Sequence, residues 1–212
     1  MIGTVEIEPS DFPPDALWRP EAGPATKLFL EGTSLDGPAR NAVRERAVSI
    51  LGACLPPSRN GAGARTGLVV GYVQSGKTQS FTALTALARD AGYPLVVLLA
   101  GTKKILHRQT ADRLKQDLQK NGGERQWILV ENLRAKHPKY ARVEKTLRSS
   151  TGLTEWSRKA RTVVLTVMKN PSSLNKLADV LAAYKVSGAL SPDVPILIID
   201  DEADQAGLNA SR

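Results

Sequence analysis

The chain has 212 residues, of which 42% are hydrophobic and 24% charged, a composition typical of one globular domain with an ordinary core. No run approaches the roughly eighteen apolar residues of a membrane span, and the N-terminus lacks the basic start and apolar centre of a secretory signal. We therefore expect a cytoplasmic protein without membrane contact. The single cysteine, Cys54, can form no internal disulfide. A net charge of +8 favours an acidic partner.

The first sixty residues carry eight of the thirteen prolines, which predicts a loop-rich segment. One helix is expected within it, beginning near Asp36, because aspartate caps helices and Pro38 suits the first turn. We therefore divide the chain into an N-terminal extension over residues 1–60 and a lobe over residues 61–212.

From Gly67 onward, short apolar runs alternate with amphipathic stretches. The predicted strands are GLVVGY, PLVVLLAG, QWILVEN, TVVLTV and PILII, and the predicted helices are KTQSFTALTALARDAG, KKILHRQTADRLKQDLQ and PSSLNKLADVLAAYK. This alternation is typical of a mostly parallel sheet covered by helices, and it predicts an α/β fold for the lobe.

The first predicted strand runs into GYVQSGKT, Gly71 to Thr78, which fits the pattern of a phosphate-binding loop. Glycines let the backbone curl so that amides point at phosphate oxygens, and the following helix presents its positive N-terminal end. Lys77 would neutralise the terminal phosphates of ATP, and the hydroxyl of Thr78 would bind Mg²⁺. The loop predicts a P-loop nucleotide-binding fold. Its predicted nucleotide-binding residues are Gly71, Gln74, Ser75, Gly76, Lys77, Thr78 and Gln79.

Four carboxylates crowd the end of the last predicted strand, at Asp200, Asp201, Glu202 and Asp204. Like charges this close repel and lose hydration, so a cation is expected among them. In P-loop enzymes, a strand beside the first ends in an Asp that holds Mg²⁺ and a Glu that orients or deprotonates water. The predicted catalytic residues are therefore Lys77, Asp201 and Glu202, and the predicted magnesium ligands are Thr78 and Asp201.

Most of the excess positive charge lies between Glu131 and Arg161, where nine basic residues accompany three acidic ones. Such a cluster supplies the sequence-independent part of nucleic-acid affinity. Only two aromatic residues, Tyr140 and Trp156, lie in this stretch, so backbone contact is favoured over base stacking. A solvated insertion between strands is the alternative interpretation.

Three segments carry a family resemblance: GLVVGYVQSGKTQSFTALTALARDAGY, VVLLAGTKKILHRQTADRL and IIDDEADQAGLN. From about Thr66 onward, the chain resembles the Z-one domain family, which carries an endonuclease label, is built like superfamily-two helicases and occurs in bacterial restriction and phage defence. VQSGKT and DDEADQA are the most specific parts. Two departures stand out. The family often has Ser where Gly207 stands, and its members continue beyond the position of Asn209 into a second RecA-like lobe.

The resemblance implies a RecA-like P-loop NTPase sandwich, with ATP and Mg²⁺ as cofactors and nucleic acid as a partner, DNA more than RNA. It also implies a second RecA-like lobe and defence-system proteins as partners. The implied nucleic-acid contacts follow two predicted strands at the edge where open α/β sheets place their ligands. They are Thr102, Lys103, Lys104, Lys169 and Asn170. Helix starts with solvated lysines are the alternative interpretation of both segments.

The favoured function is the ATP-binding lobe of a helicase-like or translocase-like ATPase that acts on DNA in restriction, phage defence or repair. The ATPase site is expected to be incomplete, and turnover slow, without a second lobe. In such enzymes, the second lobe supplies an arginine to the transferred phosphate. A metal-dependent endonuclease using the Asp200–Asp204 carboxylates is one alternative. This alternative gives the phosphate loop no role. In addition, the contiguous run over residues 200–204 contains no lysine beside its carboxylates. A P-loop kinase or a nucleotide-binding regulatory module is the other alternative.

Overall fold

The computed structural model describes residues 18–57, 63–69, 77–149, 161–192 and 194–201. Its helices are α1 (Pro24–Glu31), α2 (Gly37–Gly52), α3 (Lys77–Asp90), α4 (Lys104–Gln119), α5 (Tyr140–Arg148) and α6 (Pro171–Val186), with a 3-10 helix over Lys120–Gln126. Its strands are β1 (Leu95–Leu99), β2 (Trp127–Glu131), β3 (Thr162–Val167) and β4 (Ile196–Asp200).

The four strands form one parallel sheet in the order β2-β3-β1-β4. Leu95 pairs with Val163 on one side and with Ile196 on the other, so β1 is central. Every residue of β3 is buried, which explains why the sequence TVVLTV is a continuous apolar run and not an alternating one. The prediction of an α/β fold with a parallel sheet is confirmed.

The predicted strand GLVVGY is not formed in the part of it that the structure describes. Residues 63–69 have no regular secondary structure, and Leu68 and Val69 are 70% and 48% exposed. A lone strand has no partner for its backbone groups, so an apolar run without a neighbouring strand does not become one. The remainder of GLVVGY, residues 70–72, lies outside the described residues.

Helices cover both faces of the sheet and create two hydrophobic cores. The first core contains apolar side chains of α1, α2, α3 and α4 together with those of Val96, Leu98 and Val164 on the sheet. The second core contains side chains of α5 and α6 with those of Val97 and Leu165, which point to the opposite face. Alternating strand residues thus separate the two helix layers.

The N-terminal segment contains two helices, not the single helix that the sequence predicts. The predicted one, α2, has its cap where expected, since the Asp36 carboxylate accepts the N–H of Ala39 at 2.8 Å. The missed helix is α1. Both pack on α3, and their buried residues, among them Phe29 and Leu51, belong to the first core. Residues 18–57 therefore share a core with the lobe.

Candidate nucleotide and metal site

All four strands end at the same edge of the sheet, and the loops that follow them form the candidate site. After β1, Gly101 turns the chain into α4 with a φ of +59°. A side chain there would lie 3.0 Å from Leu106 Cβ and 3.1 Å from the N of His107. Both the positive φ and the missing space require glycine, which brings the first turn of α4 close to the strand end.

Backbone hydrogen bonds join these loops into one layer. The N–H of Lys169, after β3, donates to the Gly101 carbonyl at 2.9 Å, and the N–H of Asp201, after β4, donates to the Leu99 carbonyl at 3.0 Å. After β2, Asn132 has a positive φ of 44°. Its side-chain oxygen accepts the N–H of Met168 at 2.9 Å. The loops that carry the candidate residues are thus fixed to one another.

The side chain of Lys169 forms an ion pair at this edge. Its Nζ lies 2.8 Å from Oδ1 of Asp200, and the lysine side chain is only 7% exposed while that of the aspartate is 36% exposed. Because β1 lies between β3 and β4, the pair crosses the end of the central strand. The predicted nucleic-acid contact of Lys169 stays a prediction, but its ammonium is turned into the protein and not towards solvent.

Asp201 and Asp200 belong to different faces of the sheet. Leu197 and Ile199 of β4 pack in the first core with α3, whereas Ile196 packs in the second core. By the same alternation, Asp200 continues the face of Ile196 and Asp201 continues the face of Leu197. Asp201 is half-buried and comes directly after the strand. It therefore follows the face that α3 covers.

Several predicted residues cannot be compared with the structure. Gly71, Gln74, Ser75, Gly76, Glu202 and Asp204 lie outside the described residues, as do the side chains of Lys77 and Thr78. The backbone of Lys77 and Thr78 begins α3, as the phosphate-loop pattern requires, and Gln79 is half-buried in the same turn. The metal ligation predicted for Thr78 and Asp201 stays a prediction.

The implied nucleic-acid contacts have different environments. Thr102, Lys103 and Lys104 are exposed where β1 turns into α4, so they are accessible to a polyanion. Asn170 is the N-cap of α6, and its side-chain oxygen accepts the N–H of Ser173 at 2.9 Å. The side chain of Asn170 thus caps a helix, as the alternative interpretation of this segment expects, and Asn before Pro171 is a local signal for such a cap.

The basic stretch forms α5 and the loop before it. Arg142 and Lys145 are exposed on α5, while Val143 and Leu147 on its other side are buried in the second core. Arg148 pairs with Glu144 at 3.2 Å, as expected for residues four apart on a helix. The exposed side of α5 is therefore positively charged. Residues 150–160, which complete the basic stretch, lie outside the described residues.

The loop before α5 holds a histidine whose pKa is lowered. Burial is the main cause for His137, and the positive charges of Lys139 and Arg134 add to it. Its Nδ1 accepts the N–H of Lys139 at 3.0 Å, which requires the neutral ring.

Comparisons with protein-family models, with curated proteins and with solved structures gave no match to this chain. Among the described residues, no group of three or more His, Cys, Asp or Glu side chains is placed to hold a metal ion. The helices in the same part of the chain are all too short or too polar to cross a membrane.

Proposed function

We propose that this chain is the ATP- and Mg²⁺-binding lobe of a nucleic-acid-dependent ATPase, helicase-like or translocase-like, that acts on DNA in restriction, phage defence or repair. The observation that carries the proposal is the side of the sheet on which α3 packs. It supports a position for the phosphate loop next to Asp201, because the handedness of the crossovers decides on which side of β1 the strand before α3 would lie.

Crossovers between parallel strands are right-handed, so the direction of each crossover decides which face its helix covers. From β1 to β2 the chain moves towards the β2 edge, and α4 packs in the first core. From β2 to β3, and from β3 to β4, it moves the other way, and α5 and α6 pack in the second core. The same rule predicts on which side of β1 a strand preceding α3 would lie.

Because α3 packs in the first core, the crossover that leads through it to β1 must also move towards the β2 edge. A strand preceding α3 would then lie on the side of β1 that faces away from β2 and β3. Strand β4 already occupies the position next to β1 on that side. We propose that residues 67–72 add to the sheet in the next position, alongside β4, when nucleotide binds. The phosphate loop that follows would then lie beside the end of β4, which carries Asp201.

The dimensions are consistent with this arrangement. With 14 residues, α3 is about 21 Å long, and the five-residue β1 is about 17 Å long. Since α3 ends shortly before β1 begins, its N-terminus reaches the carboxyl edge of the sheet. A helix N-terminus there favours phosphate groups, and Asp201 follows the face that α3 covers.

The proposed chemistry divides among a few groups. The amides from Gly71 to Thr78 and the Lys77 ammonium bind the phosphates, and Thr78 with Asp201 holds Mg²⁺. Glu202 orients the attacking water or removes its proton. Thr102, Lys103 and Lys104 contact the nucleic-acid backbone close to the nucleotide. DNA binding and nucleotide turnover would thereby share one edge of the sheet.

The test is titration of a fluorescent ATP analogue with Mg²⁺ present. Lys77→Ala is expected to lower affinity by about tenfold to a hundredfold, because charge-assisted hydrogen bonds to phosphate contribute roughly 1.5–3 kcal/mol. Glu202→Gln should bind normally and lose turnover. Lys27→Ala, which removes an exposed lysine on α1, is the matched control. Unchanged nucleotide affinity in the Lys77 variant would overturn the proposal.

One observation favours the endonuclease as a second candidate. The sequence shows no lysine beside the carboxylates, yet the structure brings Lys169 from another strand to within 2.8 Å of Asp200. Carboxylates with a neighbouring lysine are typical of metal-dependent nucleases. Incubation of supercoiled plasmid with Mg²⁺ or Mn²⁺ distinguishes the candidates. Nicking that Asp201→Asn abolishes and Lys77→Ala leaves intact would favour the nuclease.

A further inference from the structure

The start of α4 exposes large aliphatic side chains directly beside lysines. Ile105 is 72% exposed and Leu106 is 39% exposed. They follow Thr102, Lys103 and Lys104, which are exposed as well. Residues 102–106, which we call the α4 turn, therefore form an unbroken exposed run that joins positive charge to apolar surface. The run lies at the carboxyl edge of the sheet, where β1 ends.

The stability of α4 does not explain these residue types. Lys103 is the N-cap of α4 and makes no capping hydrogen bond, in contrast to Asp36 in α2 and Asn170 in α6. Positive charge at this end of a helix opposes the helix dipole, and the first turn of α4 contains no acidic residue. An exposed Ile105 gains nothing from burial. Residues that break local rules without a gain for the fold are expected at binding surfaces.

The backbone holds the α4 turn in a fixed position. The Gly101 carbonyl, just before it, accepts the N–H of Lys169 at 2.9 Å. A side chain added at Gly101 would lie 3.0 Å from Leu106 Cβ, so the strand end and the turn are closely packed. Ile105 thus extends into solvent from a rigid base, which lowers the entropy cost of binding through it.

A second group of cations lies at the same edge of the sheet. Arg134 and Lys136 are exposed in the loop that follows β2. Asn132 fixes the start of this loop, since its side-chain oxygen accepts the N–H of Met168 at 2.9 Å. In the strand order, β3 lies between β1 and β2, so the two basic loops flank the end of β3. Positive charge spread along an edge complements an extended polyanion better than a single phosphate.

The aliphatic side chains distinguish between the polyanions that could bind. Lysines can contact the phosphates of a single strand and of a duplex equally. An apolar side chain reaches the face of a base in a duplex only by unstacking it from its neighbour, which costs free energy. A single strand presents unstacked bases next to its phosphates. A membrane surface would require a wider apolar face than two side chains provide.

We propose that the α4 turn binds single-stranded nucleic acid, with Lys103 and Lys104 on the phosphates and Ile105 against the face of an unpaired base. Ile105 is then a specificity-determining residue that gives the lobe a preference for single strands over duplex. The inference rests on the proposed function for nucleic acid as the partner, and it adds which form of nucleic acid is bound and by which contact.

The experiment measures fluorescence anisotropy of three labelled DNA probes of equal length, titrated with the full chain without nucleotide. The probes are a single strand without self-complementarity, the same strand in a duplex, and a strand of abasic sites that keeps the phosphates but has no bases. Ile105→Ser is expected to lower single-strand affinity by about threefold to tenfold, as for the partial burial of one aliphatic side chain. Its affinities for the duplex and the abasic strand should stay unchanged.

Three further variants make the test specific. Ile105→Phe should bind the single strand about threefold more tightly, because an aromatic ring stacks on bases, and should bind the abasic strand as the parent does. Val186→Ser removes an exposed aliphatic side chain at the end of α6 and is the matched control, which should behave as the parent. Lys103→Gln with Lys104→Gln should weaken the binding of all three probes, since all three carry phosphates.

Two results would overturn the inference. One is unchanged single-strand affinity in Ile105→Ser, which would indicate a different partner for the apolar side chains, such as an acidic peptide. The other is an equal loss for the abasic strand or the duplex, which would exclude a contact with an unpaired base. Because Ile105 is mostly exposed, neither of its substitutions removes core packing.

The same titrations separate this inference from the proposed function. If the parent binds nucleic acid and the Ile105 variants match it, only the inference fails. If the parent binds none of the probes, the nucleic-acid part of the proposed function fails as well. The ATP site is tested independently, by nucleotide affinity in the Lys77 variant.

Discussion

The carboxylate of Asp90, at the last residue of α3, accepts hydrogen bonds from both the backbone N–H and the hydroxyl of Thr26 in α1, at 2.8 and 2.6 Å. It also accepts the N–H groups of Gly23 and Ala25, at 2.9 and 3.0 Å. The cap of α1 is thus supplied by a residue 64 positions away in sequence, and Thr26 is fully buried. A carboxylate near the N-terminus of a helix also interacts favourably with the positive end of the helix dipole.

Replacing Asp90 should therefore destabilise the whole domain. Asp90→Ala leaves buried donors of α1 without an acceptor, which we expect to lower the free energy of unfolding by about 2–4 kcal/mol. Asp36→Ala removes an exposed, local cap from α2 and should cost only about 1 kcal/mol. Urea unfolding followed by circular dichroism measures both. Equal losses in the two variants would show that the α1 cap contributes no more than an ordinary one.

The contrast between these caps shows what the sequence could predict. Asp36 and Ala39 are three residues apart, so the local sequence predicts the start of α2. Apolar runs in the sequence predict the four strands. The local sequence does not predict the start of α1, because the residue that caps α1 lies on α3. The Lys169–Asp200 pair likewise depends on the strand order, which brings the ends of β3 and β4 to either side of β1. No spacing along the chain predicts that proximity.

A pH dependence of stability is expected from His137. Its pKa is lowered in the folded protein from an ordinary value of 6.5, so the unfolded chain takes up the proton more readily. The stabilisation is present above pH 6.5 and is lost as the pH falls below it. His137→Asn keeps a side-chain acceptor for the N–H of Lys139 but does not titrate. The parent should lose more stability than this variant between pH 7.5 and 5.5 in urea titrations, and parallel losses would contradict the assignment.

The exposed charges of α5 should contribute to DNA affinity through counterion release. Arg142→Glu with Lys145→Glu is expected to weaken binding and to reduce the slope of log K against log salt by about 2, since each phosphate contact contributes roughly 0.9. Lys27→Glu with Lys115→Glu makes the same change in charge at exposed positions on α1 and α4. Fluorescence anisotropy with labelled duplex and single strands measures both pairs. If the two pairs behave alike, only net charge matters and α5 is a solvated surface.

Strand β4 forms one edge of the described sheet. The Asp201 N–H points to β1, since it donates to the Leu99 carbonyl, and successive residues of a strand point their amides to opposite sides. The amides of Ile198 and Asp200 therefore point away from β1, where the described residues include no further strand.

If residues 67–72 add to this edge when Mg·ATP fills the phosphate loop, the amides of Ile198 and Asp200 gain partners and exchange with solvent more slowly. We expect a slowing of at least about tenfold in peptides covering β4, measured by hydrogen exchange and mass spectrometry. Strand β2, at the opposite edge, is the internal control and should not change. The Lys77→Ala variant should show no slowing at the same ATP concentration. Equal protection of β2 and β4 would indicate general stabilisation, and unchanged exchange in β4 despite bound nucleotide would place the strand before α3 elsewhere.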